Sequence, residues 1–97
     1  MPKYIALIKL TEQGIKDIKN APQRIEQNIA GMEAFGGKLV DIYAVMGEYD
    51  YVSVGEFPND EACMTFLLAM GSTGTVRTTT LKAFDREQFV ELVKKLP

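Results

Sequence analysis

The chain has 97 residues, of which 46% are hydrophobic and 25% charged, a composition that predicts one globular domain, residues 1–97, with a single modest core. Its 11 basic and 13 acidic residues give a formal net charge of −2 and form no run of one sign, so the basic footprint of a nucleic-acid-binding protein is absent. The chain has no histidine and one cysteine, Cys63, which excludes histidine-based catalysis and metal sites made of histidine or clustered thiolates within one chain. We therefore expect no metal and no other cofactor.

The location predicted from the sequence is the cytoplasm. Residues 1–4 turn at once into a strand-like segment without the layout of a signal peptide. The longest apolar stretch, residues 62–70, is far too short to span a bilayer, so no membrane partner is expected. A lone cysteine cannot form an internal disulfide, which fits a reduced compartment.

The first part of the chain predicts a strand, a helix and a second strand. Residues 3–10 are rich in β-forming residues. The helix is predicted to begin near Asn20, whose side chain can cap it with Gln23 at the capping-box position. Residues 38–45 form the second strand. The buried face of the helix is indicated by apolar residues at helical spacing: Ala21, Ile25, Ile29 and Met32.

The rest of the chain predicts two more strands, at residues 51–57 and 75–84, each followed by a helix. Residue 59 or 60 caps the first of these helices. Asp85 caps the last helix, with Gln88 at the box position. The inner faces expected for the two helices are Ala62, Cys63, Phe66, Leu67 and Met70 in the first, and Phe89, Leu92, Val93 and Leu96 in the second.

The order β-α-β-β-α-β with one more helix predicts an α+β chain of ferredoxin-like type, in which helices cover one face of a four-stranded antiparallel sheet. In such a sheet apolar residues point towards the helices and polar residues towards solvent. The strands depart from that rule, because Ile5 and Leu7 lie on the opposite face from Tyr4 and Ile8. An uncovered apolar face is a liability. We therefore expect a homodimer or a larger assembly through this face, with a ligand or a different partner as the alternatives.

For the sheet we predict the strand order 4-1-3-2, with the first and third strands parallel. That arrangement would bring Tyr49 and Asp50 close to Tyr4 and Tyr43. At the opposite end it would gather three charged residues, Lys9, Glu56 and Arg77.

The turn between the second and third strands reads Gly47-Glu48-Tyr49-Asp50. At this turn the sequence resembles the GYD-domain family, named for its Gly-x-Tyr-Asp turn, and three further segments fit the same pattern: residues 36–39, 56–60 and 74–84. The resemblance covers nearly the whole chain. It implies a ferredoxin-like monomer that pairs into a dimeric α/β barrel, and it implies no established reaction.

Several side chains in or near this turn are candidates for a functional site. Asp50, Glu56 and Tyr49 are candidates for catalysis, because a carboxylate can act as a base and a tyrosine can stabilise an enolate. The expected ligand-binding residues are Tyr43, Tyr49, Asp50 and Arg77. The apolar lining of the pocket is expected to be Met32, Phe66 and Met70.

Each of these polar residues also has a structural interpretation. Asp50 can accept backbone N–H groups within the turn. Tyr49 can pack its ring against the end of a barrel. Arg77 can pair with Glu56, and Arg24 is expected on a solvated helix face.

Three functions remain open on the sequence alone. The first is a homodimeric binding protein that holds a small apolar or mildly acidic molecule between the sheet and the helices. The second is a cofactor-independent enzyme of the isomerase or monooxygenase type, with Asp50 or Glu56 as its base. The third is a purely structural assembly subunit, which would need no polar cluster inside.

Overall fold

Four strands form one antiparallel sheet in the order β2-β3-β1-β4, and the computed structural model describes residues 1–97. The strands are β1 (Lys3–Leu10), β2 (Lys38–Ala44), β3 (Tyr51–Glu56) and β4 (Val76–Ala83). The helices are α1 (Glu12–Lys16), α2 (Ala21–Ala34), α3 (Asp60–Ser72) and α4 (Arg86–Lys94), with a 3-10 turn at Ile18–Asn20. The ferredoxin-like α+β fold is thus confirmed, and each predicted strand end is right to within one residue.

Two of the three predicted helix caps are present. The Asn59 side chain accepts a backbone N–H from the first turn of α3 at 2.8 Å. Asp85 and Gln88 form the expected reciprocal capping box at the start of α4. The predicted cap from Asn20 is wrong, since its side-chain amide donates to Asp17 Oδ1 at 2.6 Å instead. The 3-10 turn before α2 already holds the chain in a helical path, so no side-chain cap marks the start of that helix.

The core lies between the sheet and the helices α2 and α3. Phe57, directly after β3, is its most buried side chain, with 3% of its surface exposed. The centroid of its ring lies 5.9 Å from that of Tyr4, edge to face, and 5.6 Å from that of Phe66. The remaining core residues are Ile8, Met32, Cys63, Met70 and Val76. The inner face predicted for α3 is therefore in place.

The prediction that the first and third strands are parallel is wrong. β1 and β3 are antiparallel, with Ile8 opposite Tyr51 and Lys3 opposite Glu56. The crossover through α2 makes β2 run parallel to β1, and the β2–β3 hairpin then reverses the chain, so β3, which lies between them, runs against both. The corrected register puts Tyr49 and Asp50 at the Leu10 end of β1, far from Tyr4.

The packing predicted for the last helix is also wrong. Every residue of α4 is exposed, and so are all four residues that were expected to face the core, of which Leu96 lies just beyond the helix. Their exposed fractions run from 45% to 69%: Leu92 45%, Val93 47%, Phe89 60% and Leu96 69%. The molecule measures 53 × 30 × 18 Å, an elongated shape in which no residue of α4 is buried.

Candidate functional site

The sheet has one face covered by α2 and α3 and one open face. The centre of the open face is an apolar band, defined here as Ile5, Leu7, Val52, Val54 and Leu81. The strand register places these five residues side by side: Ile5 pairs with Val54 and Leu81, and Leu7 pairs with Val52. Leu81, on the edge strand β4, is 49% exposed. The chain therefore presents a contiguous apolar surface that none of its own helices covers.

Charged residues flank the apolar band at both ends of the strands. Lys3, Glu56 and Lys38 pair across three strands at one end. At the other end, Lys9 on β1 lies opposite Arg77 on β4 in the strand register. An apolar centre with a polar rim is the usual anatomy of a protein–protein interface.

The covered face holds a cleft of about 80 Å³ between the sheet and the two helices. Met32, Phe66 and Met70 line it, as the sequence predicts. Its floor is a row of residues that pair across all four strands: Ile42, Ser53, Ala6 and Thr80. Three of the four are small, so their side chains do not fill the space between the sheet and the helices. The cleft is the space that they leave.

Thr80 carries the one polar atom of the cleft whose environment is unusual. Its hydroxyl oxygen is buried and has no hydrogen-bond partner. A buried hydroxyl normally has a partner, because leaving it without one costs about 1–3 kcal/mol. Sequence reasoning missed this atom, since the run of threonines in β4 reads as an ordinary solvated strand face.

None of the four predicted ligand-binding residues lines the cleft. Tyr43 lies on the open face of β2, where its hydroxyl donates to Asp41 Oδ2 at 2.7 Å. That hydrogen bond raises the pKa of Tyr43 above its ordinary value. Arg77 lies on the open face of β4 and donates to the Val76 carbonyl at 3.0 Å.

Arg77 does not pair with Glu56, because the two residues sit at opposite ends of the sheet. The predicted cluster of Lys9, Glu56 and Arg77 is accordingly wrong. Only Lys9 and Arg77 share an end.

Asp50 ties the hairpin to the neighbouring strand. Its carboxylate accepts the backbone N–H of Leu10 at 2.8 Å, and its own N–H donates to the Ile8 carbonyl at 2.9 Å. Gly47 has a φ of +112°, which supplies the left-handed turn that starts this connection. Tyr49 is half-buried beside it. Asp50 accepts a backbone N–H as expected, but the donor belongs to another strand and not to the turn itself.

The structure does not bring the catalytic candidates together. Glu56 ends β3 on the open face, beside Lys3, and Asp50 precedes the same strand. Six residues of extended strand separate the two carboxylates by about 20 Å. They cannot act on one substrate atom in one chain.

A cluster that the sequence did not reveal joins Tyr4, Asp60 and Lys82. The Tyr4 hydroxyl donates to Asp60 Oδ1, and Lys82 Nζ lies 3.0 Å from the same carboxylate oxygen. Burial and this hydrogen bond raise the pKa of Tyr4, while the hydrogen bond from Tyr4 and the charge of Lys82 lower the pKa of Asp60. The only sequence signal was that a tyrosine at a core position needs a partner for its hydroxyl.

The environment of Arg24 also differs from the prediction. Its side chain is 17% exposed and forms an ion pair of 2.8 Å with Asp17. It also donates to the carbonyl of Gly14 at 3.1 Å and lies at the rim of the cleft. Arg24 thus fastens α1 to α2 instead of lying on a solvated face.

The residues that could hold a metal are dispersed. No group of three or more Asp, Glu or Cys side chains is close enough together to ligate an ion. None of the helices has both the length and the apolar character required to cross a membrane.

The chain is similar to proteins of known name in both sequence and structure. The model of the GYD domain matches residues 4–93. A relative from Thermus thermophilus, named glutamine synthetase and cystathionine beta-lyase binding protein, is 34% identical over 95 residues, which are 97% of this chain and 100% of the relative.

Three solved structures share the fold. A leucine response regulatory protein of Mycobacterium tuberculosis has a TM-score of 0.64 at 23% identity, covering 87% of this chain and 51% of its own. A feast or famine regulatory protein of the same organism, complexed with L-methionine, has a TM-score of 0.65 at 21% identity, covering 88% and 51%. A protein of Thermus thermophilus has a TM-score of 0.57 at 22% identity, covering 88% and 95%. The chain spans about half the length of the two regulators.

At these identities the solved structures support the ferredoxin-like fold and nothing beyond it. The family model, in contrast, covers the chain from the start of the first strand to the last helix, and the Gly-x-Tyr-Asp turn lies within it. The chain belongs to the GYD domain family.

Proposed function

We propose that the protein is a binding protein that works as a homodimer, formed by pairing of two open sheet faces, and that it engages other proteins through its outer surface. The observation that carries the proposal is the uncovered apolar band. Burying apolar surface gives about 25 cal/mol per Å², and leaving such a band in water invites non-specific association. The charged ends of the face supply the polar rim that such an interface needs.

The test of the pairing uses one change at two positions. Leu81→Lys puts a charge in the apolar band, where the side chain is 49% exposed in the single chain. Leu68→Lys makes the same change on the outward side of α3, where the side chain is 66% exposed. We expect sedimentation velocity to give a dimer for the Leu68 variant and a monomer for the Leu81 variant. A Leu81 variant that remains as dimeric as the parent chain would refute pairing through this face.

The partner proteins are proposed from the relative. That protein is named for binding glutamine synthetase and cystathionine beta-lyase, and it aligns with 97% of this chain. Pairing of the open faces would leave the outward side of α3 uncovered, where Met64 and Leu68 are 57% and 66% exposed. We propose that this side of α3 contacts an enzyme of that kind.

Purified chain mixed with each of the two enzymes tests this step. We expect co-elution with at least one of them in size-exclusion chromatography, and we expect Leu68→Lys to weaken it while leaving the dimer intact. Failure of both enzymes to bind at micromolar concentration would refute the enzyme partners without touching the dimer. A reduced compartment such as the cytoplasm is the proposed setting, because the lone Cys63 is a free, buried thiol.

A second candidate function is binding of a small molecule in the cleft, favoured by the partnerless hydroxyl of Thr80. The volume of about 80 Å³ limits the occupant. A dry protein cavity of about 150 Å³ takes up benzene, so this cleft suits only a short alcohol or the end of a longer chain. The occupant would be apolar with one polar atom facing Thr80.

1-Butanol is a suitable probe for the cleft. We expect it to raise the thermal midpoint of the parent chain and of Thr80→Ser, which keeps the hydroxyl, more than that of Thr80→Val. Equal stabilisation of all three chains would rule out a polar contact at Thr80. Native mass spectrometry of protein from its own host would show whether a molecule of this class copurifies.

A further inference from the structure

The last helix is a well-formed element with nothing to pack against. α4 has nine residues and a complete capping box between Asp85 and Gln88. An isolated helix shorter than about 12–15 residues is marginal in water, so its stability must come from packing. Within the chain none of its residues is buried. The packing that would stabilise α4 must therefore come from outside the chain.

The side of α4 that needs covering is apolar and continuous. With 3.6 residues per turn, four apolar residues gather on one side, while Glu87, Glu91 and Lys94 lie on the other. We call this side the arm face; it consists of Phe89, Leu92 and Val93 of α4 together with Leu96, which follows the helix. All four are between 45% and 69% exposed.

The arm face is linked to the open sheet face by sequence. α4 follows β4 after two residues, and β4 is the edge strand that carries Leu81 of the apolar band. Phe84, in the link, is 59% exposed. Exposed apolar side chains thus follow one another along the chain from the sheet into the helix: Leu81, Phe84 and Phe89.

The area of the open sheet face indicates that a second copy of the chain covers the arm face. Four strands spaced about 4.8 Å apart and about 23 Å long give a footprint of about 450 Å² on each copy. Two such faces together bury about 900 Å², which is less than the ~1,200–2,000 Å² of stable protein–protein interfaces. An arm about 13 Å long and about 10 Å wide adds a footprint of roughly 130 Å² on each side of its contact. Two such helices, each counted together with the surface that it contacts, bring the total buried area of the dimer to about 1,400 Å². This total lies within the stable range.

We propose that α4 is an arm that docks its arm face on a second copy of this chain, so that each copy of the dimer holds the last helix of the other. The inference rests on the proposed pairing of the open faces. It adds a separate contact, formed by a segment that the sheet pairing does not involve.

A single tryptophan tests the docking, because the chain contains none. Phe89→Trp places the reporter on the arm face. Glu91→Trp places it on the charged side of the same helix, two positions further on, and leaves the capping box of Asp85 and Gln88 intact. Fluorescence emission is recorded over a dilution series, and sedimentation velocity at the same concentrations gives the fraction of dimer.

We expect the Phe89→Trp variant to emit at short wavelength where the protein is dimeric and to shift to the solvent-exposed wavelength on dilution, in parallel with dissociation. The Glu91→Trp variant should show solvent-exposed emission throughout. Solvent-exposed emission from the Phe89→Trp variant in a sample that sedimentation shows to be dimeric would overturn the arm while leaving the sheet pairing in place. Short-wavelength emission that dilution does not change would mean docking on the helix's own chain and would also overturn it. A monomer at every concentration would refute the sheet pairing and the arm together.

A charge on the arm supplies a second measurement. Phe89→Glu and Gln88→Glu change the charge of neighbouring positions equally, and Glu is also acceptable at the capping-box position. We expect Phe89→Glu to raise the dimer dissociation constant at least tenfold and Gln88→Glu to leave it within twofold. Equal constants for the two variants would contradict the arm.

Discussion

The carboxylate of Asp50 accepts a hydrogen bond of 2.8 Å from the backbone N–H of Leu10, 40 residues earlier in the chain. This bond joins the start of β3 to the end of β1, at the point where the Gly-x-Tyr-Asp turn enters the sheet. The last residue of the family's signature turn thus has a structural role in this chain. It satisfies a backbone donor that no strand partner reaches.

Replacement of Asp50 tests that role. Asp50→Ala should lower the free energy of unfolding by about 1–3 kcal/mol, because the N–H of Leu10 is left without an acceptor. Asp50→Asn keeps one acceptor oxygen and should lose less. Urea unfolding measures both variants. An alanine variant as stable as the parent chain would show that the bond contributes nothing to folding.

The hydrogen bond between Tyr4 and Asp60 predicts a specific dependence of the free energy of unfolding on pH. Because the pKa of Asp60 is lowered in the folded chain, its ionised form stabilises the fold above the unfolded-state value of about 3.9, and that contribution is lost as the pH falls through the folded value. Tyr4→Phe removes the hydrogen bond that contributes most to lowering the pKa of Asp60. We expect this variant to be less stable than the parent chain at neutral pH.

The measurement is urea unfolding of both chains at neutral pH and at several values below about pH 4, the ordinary range of an aspartate. The two stabilities should converge on acidification, since the parent chain alone loses the contribution of the Tyr4 bond to ionised Asp60. A difference that stays constant over the whole range would contradict the coupling.

Thr80 predicts a variant that is more stable than the parent chain. Thr80→Val replaces a buried hydroxyl that has no partner with a methyl group of similar shape, and we expect a gain of about 1 kcal/mol in the absence of any bound molecule. Thr80→Ser keeps the hydroxyl and loses a methyl group, so it should be less stable by about 1 kcal/mol. A valine variant that is destabilised would mean that the hydroxyl has a partner in solution.

Much of the fold was predictable because local signals agree with one another. The caps from Asn59 and Asp85 are local signals, and both are present in the structure. The inner face of α3 follows helical spacing, and it is buried as predicted. These features depend on residues close together in sequence, for which pattern and propensity are informative.

The candidate site was harder to predict because it depends on register between distant segments. The error in the direction of β3 moved Asp50 to the wrong end of β1 and put Glu56 beside Arg77. Tyr4 and Asp60 are 56 residues apart in the sequence, and no local pattern predicts their contact. The exposure of α4 was missed for a different reason, because an amphipathic pattern indicates a face to be buried without indicating which chain buries it.

The central claim, that the apolar band pairs two copies of the chain, is tested most directly by the mass of the unmodified protein in solution. Sedimentation equilibrium at micromolar concentration should give a species of at least twice 10.8 kDa. It should dissociate reversibly on dilution. A single species of 10.8 kDa over the whole micromolar range would contradict the account.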